Sequence, residues 1–135
     1  SHASPFARIM ENKLTNSLTQ IGIRTMNDHQ ERQAKHYNVR VIKMDEFSSD
    51  LKFNFEEPVY ISIDLDGIDP AFAPGVSHPE PGGFSTRDII KIISNIDGEL
   101  VGADIVEYNP RRDINNITAI TAAKLLKELM GKILK

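Results

Sequence analysis

The chain has 135 residues, is 40% hydrophobic and 26% charged, and carries a formal net charge of −3. That length suits one domain or a piece of one, and the weakly acidic balance gives no electrostatic basis for binding nucleic acid or an anionic membrane. With no cysteine, a disulfide framework, thiolate metal ligands and a cysteine nucleophile are excluded. No run approaches the roughly 20 apolar residues of a membrane span. The absence of cysteine fits a cytoplasmic location, which is expected, and the first residues lack the basic flank and apolar core of a secretory leader. The chain opens at Ser1-His2-Ala3 without a Met, which suggests a fragment or a processed product.

In chain order, Ser4-Pro5 opens a helix, with Ser4 as cap and Pro5 at the first helical position. Leu18 to Arg24 reads as a short buried strand, Asn27-Asp28 as the cap of a polar helix over Gln30–Tyr37, and Val39 to Ile42 as a second strand. Met44 to Leu51 is expected to be a short helix. Val59 to Ile63 is strongly β in character and runs into Asp64-Leu65-Asp66-Gly67-Ile68-Asp69-Pro70. A Gly- and Pro-rich loop follows as far as Phe84, and irregular chain of that length in a compact domain is often functional. Ser85-Thr86-Arg87-Asp88 opens a helix carrying Ile89, Ile90, Ile92 and Ile93. Asp97-Gly98 is a turn, and Leu100 to Val106 is a strand ending in Glu107. The last helix runs from about Asn116 to Leu134, with Leu125, Leu126, Leu129 and Ile133 expected on one face.

Strands alternating with helices, the strands mostly apolar, predict an α/β domain: three layers, α/β/α, around a mostly parallel sheet. No linker and no second domain are visible. In such sheets ligands bind beyond the carboxyl ends of the strands. Asp64 and Asp66 end one strand there, Glu107 ends another, and the long loop follows the first.

Side chains alternate along a strand, so Asp64 and Asp66 are expected to point the same way. Two carboxylates held side by side repel, and a divalent cation between them is the economical remedy. Asp69, three residues on and before Pro70, is expected to orient the loop. Of the four histidines, His29 and His36 lie in a polar helix and carry no functional signal. His78 in the long loop reads equally as a pocket residue or as a structural one. Asp104 and Glu107 fall on opposite faces unless the strand ends between them. A carboxylate at position 107 could be a ligand, a general base, a partner for a cationic substrate, or a simple cap.

Ser62-Ile63-Asp64-Leu65-Asp66-Gly67-Ile68-Asp69-Pro70, then Ala73-Pro74-Gly75, then Pro79-Glu80-Pro81-Gly82-Gly83, resembles the ureohydrolase family of arginases and agmatinases. Asp104-Ile105-Val106-Glu107 with Asn109-Pro110, Ile21-Gly22-Ile23-Arg24 and the opening Ser1-His2-Ala3-Ser4-Pro5-Phe6 fit as well. Pro79 to Gly83 looks more like agmatinases, whereas Val76-Ser77-His78 departs from their common Gly- and Thr-rich form.

The resemblance implies an arginase-like fold and hydrolysis of a guanidino compound, agmatine to putrescine and urea, by a hydroxide bridging two Mn²⁺ ions. It implies Asp64 and Asp66 as two of six metal ligands, Glu107 as the carboxylate that holds the guanidinium, and His2 as an active-site histidine for proton transfer or substrate positioning. It also implies a homo-oligomer, trimer or hexamer. The other four ligands in the family, a histidine and an Asp-x-His-x-Asp cluster, lie upstream of the stretch matching His2. Residues 1–135 therefore read as the C-terminal portion of a single ureohydrolase domain, expected to be inactive alone.

Two rivals remain. Ile61 to Gly67 resembles the Asp-x-Asp-Gly strand end of haloacid-dehalogenase-like phosphatases, which use Mg²⁺, although Ile68 stands where Thr or Val is expected. The other is a non-catalytic ureohydrolase-like subunit.

Overall fold

A computed structural model describes residues 4–134. They form two compact units, divided between Phe47 and Ser48. In the first, helix α1 (Pro5–Glu11) starts with Pro5 at its first turn, and helix α2 (Asp28–His36) is closed by a capping box. There the Gln30 amide donates to Asn27 Oδ1 and the Asn27 amide to Gln30 Oε1, both at 2.9 Å, satisfying two otherwise orphaned donors. Strands β1 (Thr19–Ile23) and β2 (Arg40–Lys43) pair in parallel, with a register shift between Ile21 and Ile23. Gly22 lies within that shift at φ +81°, a conformation that glycine adopts without a Cβ penalty. The helix expected over Met44–Leu51 is only a 3₁₀ turn, Met44–Glu46, because Phe47 is extended and Ser48-Ser49-Asp50 favour turns.

The second unit holds the remaining elements. Strand β4 (Val59–Asp64) pairs in parallel with β6 (Leu100–Val106), Ser62 opposite Asp104 and Asp64 opposite Val106. Two short strands that the sequence reading missed, β3 (Phe53–Asn54) and β5 (Ile96–Asp97), also pair in parallel. All three pairs are parallel, as expected, but among the described residues the strands pair two by two, and not as one continuous sheet. Helix α3 (Thr86–Asn95) begins at the expected cap. The Asp88 amide donates to Ser85 Oγ, and the Ser85 amide and hydroxyl both donate to Asp88 Oδ2.

Helix α4 (Ile117–Ile133) packs on α3 and β6. Leu125 and Leu129 are fully buried, but Leu126 is 51% and Ile133 42% exposed, so the four do not form one buried face. At 100° per residue Leu126 turns away from the row of Leu125 and Leu129, whereas Ile133 stays near that row and is exposed because it is the last residue of the helix. The core of this unit is built from Phe53, Leu65, Ile68, Val76, Leu125 and Leu129.

Tyr60, Val101, Leu126 and Met130 all stay more than half exposed. Apolar surface of this kind favours self-association. The 135-residue chain is therefore expected to elute in size-exclusion chromatography at more than its monomer mass. A sharp monomer peak at all concentrations would contradict this.

Candidate metal and guanidinium site

Three segments of the second unit meet at the carboxyl ends of β4 and β6. The first is the end of β4. The strand stops at Asp64, and Leu65–Gly67 forms a 3₁₀ turn. Asp64 Oδ1 accepts the Asp66 amide at 2.9 Å, capping that turn. Strand alternation therefore ends before Asp66, so the expectation that the two carboxylates share a face by strand geometry does not hold. A short polar side chain folding back on the amide two residues ahead is the general reason why Asp breaks strands.

The second segment is the long loop, which is irregular but heavily tied. Asp69 Oδ1 accepts the Ala71 amide at 2.9 Å and Oδ2 the Gly82 amide at 2.7 Å, so this carboxylate organises the loop as expected. Ile68 and Phe84 bridge, and both are buried. Two threonines of α4 hold the loop from the other side. The Gly75 amide donates to Thr118 Oγ1 at 2.6 Å, and the Thr121 hydroxyl donates to the Phe72 carbonyl at 3.1 Å. These threonines were missed because their signal, a polar residue on an apolar helix face, also fits a solvated position.

The third segment follows β6. Glu107 lies just past the strand end with φ +66°, in the left-handed region. This releases it from alternation with Asp104. Asp104 is engaged structurally, accepting Ser62 Oγ at 2.6 Å and Tyr60 OH at 3.0 Å. The bond between the Tyr60 hydroxyl and Asp104, then desolvation and the Asp104 charge, hold the Tyr60 phenol above its ordinary range. The stretch after Glu107 is stitched to the loop. Val76 bridges Tyr108, the Asn109 amide donates to the Gly75 carbonyl at 2.8 Å, and Asn109 Nδ2 donates to Ser77 Oγ at 3.1 Å.

The result is a cluster. One ligand atom from each of Asp66, His78 and Glu107 lies within 4.8 Å of the others. His78 Nδ1 is 3.3 Å from Asp66 Oδ2, and the His78 amide donates to Asp66 Oδ1 at 3.4 Å. The Asp66 side chain is 19% exposed and that of His78 is 73% exposed. The structure thus brings together Asp66 and Glu107 of the expected residues and adds His78, for which the sequence left both readings open. Asp64 adjoins through the Asp66 amide but is not in this cluster. His2 lies outside the described residues. As oxygen donors at one strand end, Asp64 and Asp66 fit a hard divalent ion such as Mn²⁺.

Asp113 ties this segment to α4. Its Oδ1 accepts the Ile114 and Thr118 amides, each at 2.9 Å, and Oδ2 accepts the Ala119 amide at 3.0 Å and Tyr108 OH at 3.2 Å. Burial pushes this carboxyl up, but the bonds from Thr118, Ala119 and Tyr108 outweigh it and hold it below its ordinary value. A depressed folded pKa contributes stability that is complete above the unfolded pKa and lost as pH falls through the folded one. Asp113→Asn is therefore expected to lower the urea midpoint at pH 7, and the gap from wild type should narrow at pH 3. An equal gap at both pH values would contradict this.

The Arginase family profile matches residues 1–131. The mitochondrial arginase 1 of Arabidopsis thaliana is 50% identical over all of this chain, which covers 42% of that protein. The guanidinopropionase of Pseudomonas aeruginosa is 35% identical over 96% of the chain and 45% of its own length. The solved arginase from Medicago truncatula superposes with a TM-score of 0.93 at 48% identity, over 98% of this chain and 45% of that one. The chain thus spans less than half the length of the relatives it matches.

These matches displace the phosphatase reading. They also overturn the cytoplasmic expectation, since the plant relatives carry mitochondrial or chloroplastic names. An organelle address is carried by a short targeting segment, and a domain's composition does not encode it. With an arginase-like α/β fold of parallel strands and a profile match across nearly its whole length, the chain belongs to the arginase family.

Proposed function

We propose that the protein of which this chain is part hydrolyses the guanidino group of a guanidino acid, arginine first, releasing urea with the help of two Mn²⁺ ions. The observation that carries this reading is the approach of Glu107 to Asp66. A carboxylate held beside a metal-ligand carboxylate needs a cation of its own, and a planar guanidinium offers paired N–H donors to it. Asp64 and Asp66 are read as ligands to the ions. When bound, a divalent pair lowers the pKa of water and supplies the nucleophile near neutral pH. Glu107 orients the guanidinium so that its central carbon faces that nucleophile. The loop that follows Asp66 is organised by Asp69 and, at Ser77, bonded to Asn109 of the stretch after Glu107. His2 is read as the group that positions substrate or returns a proton to the leaving amine.

Agmatine is not the preferred substrate in this reading. The relatives at 47–50% identity are named arginases, and a guanidinopropionase follows at 35%. Arginine and guanidinopropionate both carry a carboxylate that agmatine lacks. The test is urea release by the full-length protein with Mn²⁺, comparing arginine, guanidinopropionate and agmatine. Arginine is expected to give the highest kcat/KM. Preference for agmatine, or no urea from any of the three, would overturn the proposal.

A further inference from the structure

His78 is the member of the cluster that the hydrolysis does not use. Its Nδ1 stands 3.3 Å from Asp66 Oδ2. Zinc bonds of about 2.0–2.2 Å in tetrahedral geometry put two ligand atoms about 3.4 Å apart, so this pair already has the bite of a zinc site. A ligand oxygen of Glu107 lies within 4.8 Å of both. One imidazole and two carboxylates with an open fourth position is a donor set for a borderline cation, and zinc outcompetes manganese for it in the usual order of affinities.

The three ligands are also held in advance of any ion. The His78 amide donates to Asp66 Oδ1, and the preceding Ser77 is gripped by Asn109 Nδ2 and by Arg112 Nη1 on its carbonyl, both at 3.1 Å. The Glu107 backbone is set in the left-handed region next to the Val76–Tyr108 bridge. The 73% exposure of His78 gives an ion a path in from solvent.

We propose that Asp66, His78 and Glu107 bind a single zinc ion, which shares the Asp66 carboxylate with the manganese pair read for Asp64 and Asp66, and that this ion shuts the guanidinium out from Glu107. The exclusion, though not the metal binding, rests on the guanidinium role given to Glu107 above.

The test uses the full-length, manganese-loaded protein. Crystals soaked in zinc chloride, measured on both sides of the zinc absorption edge, should show a zinc peak bonded to these three side chains. Calorimetric zinc affinity should fall at least about tenfold in His78→Ala, and also in Glu107→Gln, which keeps the side-chain shape. A zinc peak only beside Asp64, or equal affinity in wild type and His78→Ala, would overturn the site. In steady-state assays zinc should compete with the guanidino substrate in wild type and far less in His78→Ala. Zinc seen at the three side chains without competition would overturn the exclusion and the reading of Glu107, and would leave the metal site standing.

Discussion

Glu107→Gln in the full-length protein should lower kcat/KM for arginine by about 10²- to 10³-fold. Truncating one partner of a desolvated, hydrogen-bonded charge pair costs roughly 2–5 kcal/mol, and loss of guanidinium binding is that kind of change. The larger part should fall on KM, because in the proposed function Glu107 holds the substrate in the ground state as well as in the transition state. Stability should move little, within about 0.5 kcal/mol, because the amide has the same shape. Glu107→Gly sharpens the argument. A non-glycine residue at φ +66° carries a strain of about 1 kcal/mol, which glycine relieves, offset by about 0.5–1 kcal/mol of backbone entropy. That variant should fold as well as wild type and turn over no better than Glu107→Gln. The fold then gains nothing from a glutamate here, and what position 107 contributes is the carboxylate alone. Wild-type kcat/KM in the Gln variant would remove Glu107 from the site.

Elements with strong local rules could be read from the sequence. Helix α3 starts at Ser85 because the side chains of Ser85 and Asp88 satisfy each other's amides, a three-residue spacing visible in the chain. Strands β4 and β6 are mostly apolar runs, with Asp64 at the end of the first and Glu107 just past the end of the second. The two-residue strands β3 and β5 are too short for any periodicity to register. The site was legible in part for the same reason. Asp64, Asp66 and Glu107 announce themselves as acids at strand ends, whereas His78 joins them only through tertiary folding of a loop. Nothing in Val76-Ser77-His78 indicates that Asn109 and Arg112 will hold it against Asp66. The alternation argument failed at Asp66 because a side chain of the run itself, Asp64, ended the strand by capping the next turn.

Gly75→Ala should cost about 1–3 kcal/mol, the usual cost of forcing a methyl group into a filled space. A Cβ on Gly75 would lie 2.8 Å from both Asp113 Cβ and Thr118 Oγ1, and 3.0 Å from the Asp113 backbone. These atoms have no slack. Asp113 is fixed by the amides at the start of α4, and Thr118 is fully buried while accepting the Gly75 amide at 2.6 Å. The loop is therefore expected to move, and movement breaks that bond. Thr118→Val removes the acceptor at nearly constant volume, together with the hydroxyl's bond to Asp113. It leaves the Gly75 amide buried without an acceptor, at a cost of about 1–3 kcal/mol. Residues in contact do not add, so the double variant should lose less than the sum of the two singles. Urea midpoints of the four proteins measure this coupling. Function should follow, because the Gly75 carbonyl holds the Asn109 amide and Asn109 holds Ser77 beside His78. Loosening position 75 should thus weaken zinc binding at the Asp66–His78–Glu107 cluster along with stability. Tolerance of the alanine within about 0.5 kcal/mol, the level of an ordinary surface change, would mean that loop and helix do not approach this closely.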